Sequence, residues 1–213
     1  MGRDLESQPM TMLEKLTLDD RPPGRRVCRY HDAMLDGLTD LLMRARGATV
    51  LDVGCNRGLA AYAFACNEAR ICHGIDLAPD AIFVARSLFA DLVECRSQFE
   101  VGDLTRGADC LKPFGDAGWD IVLMMGVYHK IKRAPSKEYK QLGAVGMDAE
   151  QLSEFMKHLG RKTLKYFAWR GDDVDCEQVD KDMTAAGLRL IHRTEISGDR
   201  GTRSGPSCIW RRE

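Results

Sequence analysis

The 213 residues carry 31 Lys and Arg against 32 Asp and Glu, a formal net charge of −1. A chain so near neutrality has no global field to gather nucleic acid or a membrane surface, and its length suits one α/β domain. No apolar run approaches membrane-spanning length, so no membrane partner is expected. The eight cysteines show no C-x-x-C pair and no zinc spacing. In a chain able to bury a core they read as reduced thiols of a cytoplasmic protein, and no metal is expected. No basic-then-apolar leader is expected at the N-terminus, and Glu6 stands where a myristoylation signal wants Ser or Thr.

In chain order, residues 1–24 are polar, with Pro9, Pro22 and Pro23, and read as a flexible arm before a domain over 25–213. From Val27 to Arg46, Val27, Met34, Leu35, Leu38, Leu41 and Leu42 share a helical face, and Gly47 is placed to end that helix. Thr49 to Val53 is an apolar run without alternation, as a strand buried on both faces requires. A glycine-bearing turn, Gly54 to Gly58, leads into a helix from Leu59 to Ala65. Ile71 to Ile75 is a second strand ending at Asp76, and Pro79 opens a helix to about Leu92. Phe99 to Val101 is a short third strand closing at Gly102-Asp103-Leu104, and Trp119 to Met125 is a fourth.

Gly126 to Met147 shows no period and reads as a long functional loop. Its front part holds Lys130, Lys132, Arg133, Lys137 and Lys140 against the single acid Glu138. Asp148 to Leu159 reads as a helix with a capping box at Asp148 and Gln151 and with Gly160 past its end. Thr163 to Trp169 is strand five, and Asp180 to Ala186 belongs to a last crossover helix stopped by Gly187. Leu188 to Ile196 and Ser207 to Trp210 are two strands joined by a Gly/Arg/Ser-rich turn. The fold class predicted is α/β: a seven-stranded, mostly parallel twisted sheet with helices on both faces and a C-terminal antiparallel hairpin.

A strand, a glycine turn and a helix bring backbone N–H groups and a helix N-terminus against a ligand. About 20 residues further on, a nucleotide site wants an acid for ribose hydroxyls, and Asp76 stands there. The dinucleotide pattern G-x-G-x-x-G fails, because Gly54 is followed by Asn56 and Leu59 at the other two positions. The stretch instead resembles motif I of the class I S-adenosylmethionine-dependent methyltransferases, acid-x-Gly-x-Gly-x-Gly. Asp52, Gly54 and Gly58 match, and Asn56 replaces the central glycine. Asparagine tolerates the left-handed backbone that glycine would supply. The antiparallel hairpin also resembles the sheet of this family, and the likeness covers about residues 27–211.

The resemblance implies S-adenosyl-L-methionine as cofactor, held by Asp52, Gly54, Cys55, Asn56, Gly58, Asp76, Leu77, Asp103, Leu104 and Met125. Asp103 matches by position an acid that bonds the adenine amino group; its other reading is a cap on the following turn. In the family a helix before strand one lies over the cleft, which would let Arg26, Arg29 and Tyr30 reach the cofactor carboxylate or a substrate; their other reading is a solvated polar face. Methyl transfer from a sulfonium is an in-line displacement that rests on alignment. His129, just beyond strand four, is the first choice for a general base, or else it holds the loop by hydrogen bonds. Tyr128, Lys130 and Arg170 are the candidate acceptor-binding residues. Tyr128 has packing as its alternative role, and Arg170 an ion pair. His73 reads as a packed strand residue.

The run Met125-Gly126-Val127-Tyr128 lacks the proline pair and the side-chain acceptor for an amine that resemble enzymes methylating base amino groups. The expected function is therefore methyl transfer to a small-molecule or carbohydrate-like acceptor, anionic and at oxygen. One alternative is methylation of tRNA or another nucleic acid, kept open by the loop and by Arg193, Arg200, Arg203, Arg211 and Arg212. The other is a non-catalytic cofactor-binding scaffold, for which Asn56 is the hint.

Overall fold

The structure is a computed structural model describing residues 37–132, 140, 141, 143, 145–194 and 205–213. The arm over 1–24, Arg26, Arg29, Tyr30, Arg133, Lys137, Arg200 and Arg203 lie outside the described residues.

Seven strands form one sheet in the order β3-β2-β1-β4-β5-β7-β6. They are β1 (Thr49–Val53), β2 (Ile71–Asp76), β3 (Arg96–Val101), β4 (Trp119–Met125), β5 (Thr163–Arg170), β6 (Leu188–Arg193) and β7 (Ser207–Arg212). The first five run parallel, and β7 lies antiparallel between β5 and β6. Among the described residues the α-helices used below are α1 (Thr39–Leu42), α2 (Leu59–Cys66), α3 (Pro79–Phe89), α4 (Tyr128–Lys132), α5 (Ala149–Lys162) and α6 (Cys176–Ala185). Two cores form because both sheet faces are apolar. Val50, Cys72, Ile121, Leu123 and Ala168 pack with α1, α2 and α3. Leu51, Val53, Val122, Met124, Phe167 and Trp169 pack with α5 and α6. The alternation along each strand is invisible in the sequence because both faces are covered.

The structure moves several boundaries. Gly37 takes a φ of +77°, and a Cβ there would sit 2.5 Å from Thr194 Cγ2, so the first helix cannot run through it. Within the described residues only Thr39–Leu42 is helical there. Gly160 lies inside α5 rather than past its end. A Cβ on it would meet that of Ala186 at 2.5 Å, so the missing side chain lets α5 approach the end of α6. The capping box stands: Asp148 accepts from the Gln151 N–H at 2.8 Å, and Gln151 accepts from the Asp148 N–H at 3.1 Å. The long loop after β4 opens with a helix, α4. The crossover helix starts four residues before Asp180, at Cys176, and β3 starts three residues before Phe99.

Candidate active site

Parallel strands in adjacent register place their carboxyl ends side by side. Val53 stands beside Ile75, Asp76 beside Val101, and Met125 beside Arg170. Ligands of open α/β sheets bind at this edge. The turn after β1 holds three left-handed residues, Gly54 (φ +75°), Asn56 (φ +49°) and Gly58 (φ +76°). Asn56 thus takes the conformation the central glycine would supply, which removes the hint that favoured a scaffold protein. A Cβ on Gly54 would fall 2.6 Å from Val127, so the turn and the segment after β4 touch through a glycine surface.

The turn is fastened from beneath. The N–H groups of Gly54 and Cys55 donate to Ile75 O at 2.9 and 3.0 Å, and that of Gly58 to Cys55 O at 2.9 Å. Asp76 is 5% exposed. Its Oδ2 accepts from the Asn56 N–H at 2.9 Å and its Oδ1 from the Ala78 N–H at 3.0 Å. Each carboxylate oxygen keeps lone-pair capacity beyond one bond, so Asp76 can clamp the turn and still receive a hydroxyl. Cys55 faces inward beside Gly74, with its thiol pushed up by burial and then by the nearby carboxylates of Asp52 and Asp76. Asp52 lies under the turn, 2% exposed, and accepts from the Ala61 N–H at 3.4 Å. Burial first, and the charge of Asp76 besides, push its carboxyl up to about 7.

Beside β3, Asp103 Oδ1 accepts from the N–H and hydroxyl of Thr105 at 2.9 and 2.7 Å. The capping geometry is present, with the second carboxylate oxygen left over. Leu104 is buried, whereas Leu77 and Met125 are half-buried at the same edge.

On the other side of β1 the picture differs. Tyr128 is 2% exposed, and its ring meets Trp169 edge-on at 5.9 Å between centroids. Burial and the acids Asp175 and Asp182 push its hydroxyl up. Tyr128 is therefore a core residue, and its packing role is the one the structure displays. His129 is half-buried and Lys130 exposed on α4. Arg170 donates from Nε to Ser207 Oγ at 2.9 Å. Lys132, grouped by sequence with the loop cations, forms an ion pair with Asp175, which is 1% exposed. That partner is 43 positions away, and nothing in the local pattern announces it. Lys140 is exposed.

Two arginines of the tail are committed elsewhere. Arg193 pairs with Asp173, and Arg212 donates to the carbonyls of Thr163, Gly160 and Ala186. His73 behaves as a packed strand residue: its Nδ1 accepts from Trp119 Nε1 at 3.0 Å and its ring stacks on Phe114. Among the described residues, no group of three His, Cys, Asp or Glu side chains is arranged to hold a metal.

Fold and turn together define an α/β protein with a glycine turn and two acids at the carboxyl edge of its sheet. A family model described as a methyltransferase domain matches residues 50–145. The magnesium protoporphyrin IX methyltransferase ChlM of Synechocystis PCC 6803, with bound S-adenosylmethionine, superposes with a TM-score of 0.62 at 15% identity, over 86% of this chain and 80% of that one. The N-methyltransferase NodS of Bradyrhizobium japonicum, with S-adenosylhomocysteine, gives 0.61 at 15% identity, over 94% and 96%. No curated protein matches the chain in sequence. Residues 50–145 thus resemble a methyltransferase domain, and the chain has the fold of the class I S-adenosylmethionine-dependent methyltransferases.

Proposed function

We propose that the enzyme, with residues 25–213 as its catalytic domain, methylates a small, carbohydrate-like anionic acceptor at oxygen in the cytoplasm. The observation that carries this reading is the placement of His129, half-buried on α4, within four residues of the end of β4. The turn, the two partly satisfied acids and the absent side chains at Gly54 and Gly58 fit the cofactor. When bound, it supplies an electrophilic methyl group on a sulfonium. Asp76 would receive the ribose hydroxyls, Asp103 the adenine amino group, and Gly54, Asn56 and Gly58 would give close backbone approach. Leu77, Leu104 and Met125 would form apolar walls, with Asp52 and Cys55 supporting the turn from below.

On the acceptor side His129 takes the proton of an attacking hydroxyl, which histidine can do near neutral pH. Lys130 and Arg170 supply positive charge for an acidic group of the acceptor. Lys132 is withdrawn from that role, because its charge already answers Asp175. The nucleic-acid reading weakens with the commitments of Arg193 and Arg212. The seven described cysteines are free thiols, which supports a reducing compartment. No described helix is long and apolar enough to cross a membrane.

The test is transfer of a labelled methyl group across a panel of phosphorylated and carboxylated carbohydrates, with phenols as controls. His129→Ala should lower kcat about a hundredfold with little change in acceptor KM. Unchanged kcat would remove His129 as base.

A further inference from the structure

A helix of five residues has no stability of its own in water, so the place of α4 must come from tertiary contacts. Three of its side chains turn inward at positions i, i+3 and i+4. Tyr128 and Ile131 are 2% and 6% exposed, and Lys132 reaches Asp175. Apolar contact holds a helix down but is non-directional, and leaves its rotation loosely set. The ion pair supplies the direction. Asp175 is 1% exposed, and its Oδ2 has no hydrogen-bond partner among the described residues, so its charge leans on Lys132. Asp182, the other buried acid near Tyr128, accepts from Ser153 and Gln178 through Oδ1, while its Oδ2 and Trp169 Nε1 have no hydrogen-bond partner among the described residues. The Met147 N–H donates to Ile131 O at 2.8 Å, so the far end of the loop is fastened to the same short helix.

We infer that Asp175 is a positioning residue for methyl transfer: through Lys132 it fixes the rotation of α4, and with it the place of His129 beside the end of β4. The inference rests on the reading of His129 as a wall of the acceptor site. Without the carboxylate, Lys132, already 43% exposed, turns to water and α4 loses the ion pair that ties it to the start of α6. Without the lysine, a buried carboxylate is left without its countercharge, and the same contact is lost.

The test needs no acceptor. It uses the full chain with S-adenosylhomocysteine, amide exchange read by mass spectrometry, and the NMR signal of the His129 ring. Asp175→Asn and Lys132→Met should each speed exchange across 127–132 at least tenfold and move the His129 signal. Peptides over 50–66 should keep their rates, and S-adenosylhomocysteine should bind within twofold of the unaltered protein. The double variant should exchange no faster than the quicker single one, because both substitutions remove one contact. Asp182→Asn, which removes another buried acid, should lower the melting temperature and leave the His129 signal in place. The inference falls if 127–132 and the His129 signal are unchanged in Asp175→Asn, or if exchange rises equally across 50–66, which marks a loss of overall stability. Should Asp175→Asn not fold, Lys132→Met, altered on a half-exposed stem, decides alone. The two readings fail separately: unchanged kcat in His129→Ala removes the base and leaves the exchange result standing, whereas unchanged exchange removes the positioning role and leaves His129 standing.

Discussion

The two halves of the ligand edge are built on different principles. On the side of β1, β2 and β3, geometry is held by backbone: left-handed residues, N–H groups donating to Ile75 O, and two carboxylates that accept from the chain within a few residues of the turn or across one strand. On the side of β4 and β5 it is held by side chains far apart in sequence, Lys132 with Asp175, Tyr128 with Trp169, and Arg170 with Ser207. A cofactor common to a family can be met by a local backbone motif. An acceptor peculiar to one enzyme is met by side chains, which change without disturbing the sheet.

The comparison can be broken most strongly at Asp52. Its carboxyl rises from the ordinary 3.8 to about 7 in the folded protein. The native state then binds more protons than the unfolded one between those values, so stability falls as pH rises from about 4 to about 7 and levels off above. Each pKa unit corresponds to about 1.4 kcal/mol, which gives at most about 4 kcal/mol for this one group. Asp52→Asn should flatten that slope in chemical denaturation at pH 4, 5.5 and 7. A slope as steep as before would place the titration elsewhere.

Gly54→Ala strikes the place where the two halves touch. A left-handed backbone costs an L-residue roughly 1–2 kcal/mol, and a Cβ forced against Val127 adds about 1–3 kcal/mol. A loss of about 3 kcal/mol in unfolding free energy is expected, with weakened binding of S-adenosylhomocysteine. Wild-type stability would mean that Val127 moves aside.

Asp76→Ala acts on the proposed cofactor half alone. It should cost roughly 1.5–3 kcal/mol of S-adenosylhomocysteine binding in calorimetry, partly through the ribose and partly through a slackened turn at Asn56 and Ala78. Acceptor KM should hold. Equal affinity in the variant would overturn the ribose assignment.

The smallest effect belongs to the rim of the proposed acceptor half. Lys130→Met should raise acceptor KM by roughly threefold to fivefold, in line with an exposed charge contact of up to about 1 kcal/mol. The dependence of KM on salt should weaken, and cofactor affinity should not move. A KM indifferent to both substitution and salt would argue for a neutral acceptor.

The sequence by itself determined the central strands, because β1, β2 and β4 are short, largely apolar runs closed by glycine or an acid. Thr49–Val53 and Trp119–Met125 coincide with their strands residue for residue. It also determined the turn, since Gly54, Asn56 and Gly58 are the residue types that accept a left-handed backbone, and all three adopt it. The capping box at Asp148 was legible for the same reason, a pattern confined to four residues. Only the tertiary structure decided what long side chains reach. Lys132 and the loop cations look alike in sequence, and a buried acid 43 positions on separates them. Gly160 looks like a helix stop, yet a close approach to Ala186 requires it inside α5. Tyr128 looks like a pocket residue, and Trp169 closes over it. Backbone conformation is a local property of a few residues. Side-chain partnership depends on which strands become neighbours, and that is settled when the sheet assembles.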